Sequence, residues 1–141
     1  MKNALLVAML AAACVSPCPA QKPGPHEAEF RAFYAKFLAS ARANDKEKLA
    51  DLIAFPVEDW STDTKGNVQT GGIKDKADFL ARYNVLFTAF MRLHIPKAKL
   101  SALDDGRYIL LWRDAGAEFS FEFGYIEGTG YRVRSYDIGP T

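Results

Sequence analysis

Between residues 30 and 41 the apolar positions fall at Phe30, Phe33, Tyr34, Phe37, Leu38 and Ala41. Steps of three and four place them on one side of a helix, so the pattern predicts about four turns of amphipathic helix. Arg31, Lys36 and Arg42 fall off that stripe. Asn44-Asp45 interrupts it, and Asp45 can cap a second, shorter helix that buries Leu49, Leu52 and Ile53. Pro56 is expected to end this helix, because the residue before a proline is pushed out of the helical region. Val57 to Thr62 reads as a short strand, Gly66 as a turn, and Val68 to Ile73 as a returning strand weakened by Gly71-Gly72. Asp75 is placed to cap a third helix, with Asp78 in its first turn and a stripe of Phe79, Leu80, Tyr83, Leu86, Phe87, Phe90 and Met91. Pro96 closes that region.

After Pro96 the period changes from 3.6 to 2. Four strands are predicted over 99–103, 108–113, 117–126 and 131–138, separated by Asp104-Asp105-Gly106, Asp114-Ala115-Gly116 and Glu127-Gly128-Thr129-Gly130. Such short turns join antiparallel neighbours, so the strands form a meander. The order is α-α-β-β-α-β-β-β-β, an α+β domain. A curved antiparallel sheet wrapped around the three N-terminal helices would make a cone open at one end.

The amino terminus changes this accounting. Lys2 precedes an apolar run from Ala4 to Val15, and Ser16-Pro17-Cys18-Pro19-Ala20 breaks it with small residues. That is the form of a secretory signal peptide cleaved after Ala20. The apolar run is shorter than the ~20 residues that span a bilayer. The expected organisation is a signal peptide over 1–20, a flexible leader over 21–27 and one domain over 28–141, in a periplasmic or secreted protein. Ala12-Ala13-Cys14 also resembles the end of a lipid-attachment box, with Ala11 where such boxes carry Leu, so an anchor at Cys14 is the alternative. Both cysteines, Cys14 and Cys18, lie in the segment to be removed. A cleaved chain would have no thiol for a disulfide, a zinc site or a nucleophile. The whole chain carries 18 basic and 17 acidic residues; removing Lys2 leaves the two signs balanced. With no basic block, nucleic acid and anionic membranes are poor partners, and no transmembrane segment is expected after cleavage. His26 and His94 stand far apart with no Asp, Glu or Cys cluster between them, so neither a metal site nor a cofactor is implied.

Asn44-Asp45 before Leu49-Ala50-Asp51-Leu52-Ile53, then Phe55-Pro56-Val57, then Ile73-Lys74-Asp75-Lys76-Ala77-Asp78-Phe79-Leu80, with Tyr131-Arg132-Val133 and Asp137-Ile138-Gly139 at the end, resemble the NTF2-like superfamily. The match covers nearly the whole domain. It is similar to small secreted bacterial members with no assigned activity. The resemblance implies the cone fold, and superfamily members include enzymes, binding modules and assembly domains. Ketosteroid isomerases of this superfamily pair a Tyr on the first helix with an Asp base after the second and a protonated Asp on a meander strand; the general pattern is a standard case of pKa tuning. By that resemblance Tyr34 and Asp59 are the catalytic candidates, Asp59 acting as base. The third group is missing. Phe119, Phe121 and Phe123 should face the helices, which turns Glu122 outward and leaves Phe where the acid would stand.

The residues therefore favour a non-catalytic domain that binds a small or peptide-like ligand in the cone. Asp59 is expected to share the inward face with Val57, at the cone's mouth, while Glu58 and Trp60 share the other face. Tyr34, Asp59, Trp60, Tyr83 and Trp112 are the candidate ligand-binding residues. Arg132, Arg134, Tyr136 and Ile138 are expected on a mixed outer face of the last strand, with Arg134 placed to pair with Glu122. Such a face suits a protein interface, and homodimerisation through it is implied by the resemblance alone. Two alternatives stand beside the ligand reading: an interaction or dimerisation module using Arg132, Arg134 and Tyr136, and an isomerase-like enzyme centred on Asp59.

Overall fold

A computed structural model describes residues 24–62 and 72–141. The expected signal segment with Cys14 and Cys18, the first residues of the leader, the Gly66 turn and most of the returning strand lie outside the described residues. The remainder is α+β, with several helices and a four-stranded antiparallel sheet.

Helix α1 (Glu27–Ala43) ends at Asn44, which takes a left-handed conformation with φ 54°. Asp45 then caps α2 (Lys46–Ala50), its carboxylate accepting from the Lys48 amide at 3.1 Å. The α2 helix stops well before Pro56, and Phe55–Pro56 is a cis peptide. Asp75 caps α3 (Lys76–Ala81) through the Asp78 amide at 2.8 Å. The single long helix expected here is instead three short ones, α3, α4 (Tyr83–Leu86) and α5 (Ala89–His94), followed by a 3₁₀ turn at Ile95–Lys97. Phe87 and Thr88 adopt non-helical backbone, and the Thr88 hydroxyl accepts from the Met91 amide to start α5 afresh. Phe79, Tyr83, Leu86, Phe87 and Met91 are all buried across this stretch of three short helices.

The meander comprises β1 (Lys99–Ala102), β2 (Tyr108–Asp114), β3 (Ala117–Ile126) and β4 (Gly130–Pro140), in that spatial order. Phe119, Phe121 and Phe123 of β3 are buried, as alternation requires, and Phe121 and Phe123 meet Phe37 of α1 with ring centres 5.6 and 5.1 Å away. Each such ring contributes roughly 1.5–3 kcal/mol when fully buried.

Alternation fails on β4. Glu122 pairs with Ser135 and Phe123 with Val133, so Arg134 is an extra residue in a β-bulge. The bulge resets the parity. Tyr131 and Val133 point inward before it, and Tyr136 points inward after it with 1% of its surface exposed. The expected outer face therefore loses Tyr136, while Arg134 is exposed and Arg132 half-buried.

The two short strands expected around residue 66 are, in their described parts, isolated bridges. Val57 pairs antiparallel with Ile73; Ile53 and Trp60 pair parallel with Val133 and Tyr136. The Ala54 amide donates to Val133 O and the Val133 amide to Leu52 O; the Ser61 amide donates to Tyr136 O and the Tyr136 amide to Asp59 O. Residues 52–61 thus cover the free edge of β4, which would otherwise offer unpaired amides and carbonyls.

Gly72 holds the Val57–Ile73 bridge. Its φ is 57°, and a Cβ built there would lie 2.0 Å from the Val57 carbonyl oxygen. A left-handed residue and a backbone clash both argue against any side chain. Gly72→Ala is expected to lower folding stability by about 2 kcal/mol or more, measured as a shifted urea midpoint; a loss under half that size would show that the bridge is dispensable.

Candidate functional site

The residues expected to line a cone-shaped cavity are largely spent on the core. Trp60 was expected on the outer face; it is 1% exposed and its indole N–H donates to Leu86 O at 2.9 Å. Its ring meets Phe79, Phe121 and Tyr136. Tyr83 is buried against Phe79 and Phe87, and its hydroxyl donates to Asn44 Oδ1 at 2.7 Å. Tyr34 is half-buried among Phe30, Phe37 and Phe123; burial raises its pKa and Arg42 partly offsets that. Trp112 is buried and stacks on Phe119 at 5.4 Å; its Nε1 is a sealed donor with no partner among the described residues.

Asp59 is elsewhere. It was expected to share the inward face with Val57, but Val57 and Trp60 are buried while Glu58 and Asp59 are exposed. The physical reason is that residues 57–61 do not run as a strand. Their bridges switch from Ile73 at Val57 to Tyr136 at Trp60, so the two-residue alternation does not apply. Asp59 opens onto a surface groove with Phe55, Pro56, Glu58, Ile126 and Arg134. Its charge, after burial, helps raise the pKa of Asp137 on the outward side of β4. Tyr34 and Asp59 are not brought together by any contact among the described residues. Arg134 does not take Glu122 either: Glu122 accepts from Arg107 at 2.8 Å, and the Arg134 stem lies over Gly124, where a Cβ would come within 3.1 Å of its Cγ.

A different recess has the makings of a site. It has a volume of about 210 Å³ and opens between α4–α5 and the ends of β2, β3 and β4. Val85, Phe90, Met91, Phe119 and Ile138 form its walls. Ser61, Thr62, Thr88 and Tyr136 are its hydroxyl-bearing residues, and Asp114 is the charged residue among those lining it. Thr88 is occupied as the α5 cap. Ser61 and Tyr136 are not: each is at least 97% buried, and neither hydroxyl has a hydrogen-bond partner among the described residues. Neither is among the sealed polar atoms without a partner, as Trp112 Nε1 is, and both residues line the recess. Burial raises the Tyr136 pKa far above the ordinary phenol value, so the group stays protonated and can donate.

Two features bring these two residues to the same recess. The bulge at Arg134 turns Tyr136 inward, and the Ser61 amide bonds the Tyr136 carbonyl at 2.8 Å. Reading by strict alternation sends Tyr136 outward, and Ser61 is hidden inside a segment that reads as a plain strand. The signal available in the chain is the run Tyr131, Val133, Tyr136, Ile138, whose apolar step lengthens from two to three between Val133 and Tyr136. Among the described residues no group of three or more His, Cys, Asp or Glu could hold a metal ion, and no helix is long and apolar enough to cross a membrane.

No family model, curated protein or solved structure matches this chain.

Trp60 tests whether its polar edge serves the fold. Trp60→Phe removes the donor to Leu86 O and leaves a buried carbonyl unpaired beside lost ring volume. The expected cost is roughly 2–4 kcal/mol by chemical denaturation; a cost below about 0.5 kcal/mol would free the indole for a role outside the core.

Proposed function

We propose that this protein is a non-catalytic, NTF2-like ligand-binding domain of the periplasm or exterior. Its ligand is a small apolar molecule held in the recess between α5 and the β2–β4 end of the sheet. The observation that carries the reading is the pair of buried residues Tyr136 and Ser61, whose hydroxyls have no partner among the described residues, lining a recess with apolar walls. A buried polar group without a partner costs stability. Phenylalanine fills the neighbouring positions Phe119 and Phe121 of the same face, so a ring without the hydroxyl would fit the core's chemistry at 136. The hydroxyl is useful if a bound molecule completes its hydrogen bond. An apolar pocket with a few converging polar groups is the usual form of a small-molecule site. The size is suitable: an apolar cavity of about 150 Å³ accepts benzene, and this recess is somewhat larger. The helices packed on one face of the meander support the NTF2-like part of the reading, and the form of residues 1–20 supports export.

The catalytic alternative has less to rest on. Its base, Asp59, lies in the groove beside Arg134, and its phenol, Tyr34, is packed among Phe rings.

Tyr136→Phe tests the proposal with two readouts. The unliganded protein should be as stable as before, or up to about 1 kcal/mol more stable, because an unpaired hydroxyl is removed. Binding of 2-phenylethanol, followed by NMR chemical shifts, should weaken about two- to tenfold. A variant markedly less stable, with binding unaltered, would make the hydroxyl a structural group and remove the support for this site.

A further inference from the structure

The charge at the recess narrows its ligand, and this step rests on the binding reading above. Among the described residues, Asp114 is the charged side chain lining the site, and no lysine or arginine lines it. It stands at the end of β2, immediately before the tight Ala115-Gly116 turn, and is exposed at the mouth. It makes no ion pair or side-chain hydrogen bond among the described residues. The nearest cation in sequence, Arg113, is engaged: its Nε donates to Glu118 at 2.8 Å. Alternation along β2 also sends Arg113 and Asp114 to opposite sides of the strand. The mouth is thus negative, the walls are apolar, and the inner polar groups are hydroxyls that can accept as well as donate.

We infer that the recess takes a small hydrophobic amine, its apolar body among Phe90, Phe119 and Met91 and its ammonium group toward Asp114. The polarity follows from the lining. A carboxylic acid would bring a second negative charge to Asp114 and find no cation among the described lining residues. A neutral alcohol would satisfy a hydroxyl but leave the carboxylate unused. An ammonium is attracted by the carboxylate. Because Asp114 is exposed, its attraction is screened, so the preference should be a few-fold and not orders of magnitude.

Three compounds that share a phenyl body separate these cases: 2-phenylethylamine (cationic), 2-phenylethanol (neutral) and phenylacetate (anionic). They are titrated into the full chain at low salt and neutral pH by calorimetry, with NMR shifts to locate the contact. The amine should bind about two- to fivefold more tightly than the alcohol, and the anion weakest. Asp114→Asn, at an exposed position, should bring the amine down to the level of the alcohol, and 0.5 M salt should do much the same. Equal binding of amine and alcohol, or an amine preference that survives Asp114→Asn, overturns the inference while leaving the recess as a site for neutral molecules. Failure of all three to bind overturns the binding reading itself and this inference with it. The comparison among ligands on the unaltered chain needs no variant to fold.

Discussion

Strand β4 is held from both sides, and the rest of the molecule is arranged around that. On one side it pairs with β3; on the other, residues 52–61 exchange backbone hydrogen bonds with it at Val133 and Tyr136. Between these two points lies the bulge at Arg134. An extra residue on an edge strand costs ladder hydrogen bonds, but here its neighbours on either side are pinned by a third chain segment. The outcome is a strand whose inward residues are Tyr131, Val133 and Tyr136, and whose outer edge is covered at Val133 and Tyr136. The same clamp fixes Trp60 and Ser61, because their positions are set by the carbonyl and amide of Tyr136. Asp59 spends its backbone carbonyl in the clamp and turns its side chain to solvent.

The interior that results is a continuous aromatic packing. Phe30, Phe33 and Phe37 of α1 meet Phe121 and Phe123 of β3, and the contacts continue through Trp60 to Phe79 and Tyr83. Edge-to-face geometry recurs, as ring quadrupoles favour. Polar tips inside this packing are consumed locally, Trp60 on Leu86 and Tyr83 on Asn44. A large central cavity would compete with that packing for the same side chains. The recess beside α5 avoids the competition, since it lies where the broken helix leaves the end of the sheet uncovered.

Much of the fold was legible in the chain. The first helix, the two aspartate caps, the four meander strands and the inward Phe row of β3 follow from local rules of period and turn chemistry. What was not legible came from long-range pairing. The break of one amphipathic stripe into α3, α4 and α5 is not visible in the apolar spacing, which fits one helix equally well. The inward turn of Trp60 and the outward turn of Asp59 depend on bridges to two different partners. The bulge at Arg134 shifted Tyr136 from an expected surface to the core, and so the candidate site moved with it. Of the residues first singled out for binding, Asp59 and Trp112 border described grooves, and neither groove is the recess.

The move changes the chemistry that can be asked of the protein. At the mouth of a cone, Asp59 with a nearby phenol would be a proton-transfer pair. In the recess the phenol is Tyr136, which burial holds protonated, and the carboxylate is Asp114, which is exposed to water at the rim. A general base gains from being close to the proton it removes and from a pKa tuned by its surroundings. Among the described residues the recess instead has hydroxyls and apolar walls inside and one charged residue, Asp114, at its rim. On the proposed reading, that arrangement would choose a molecule by size and charge.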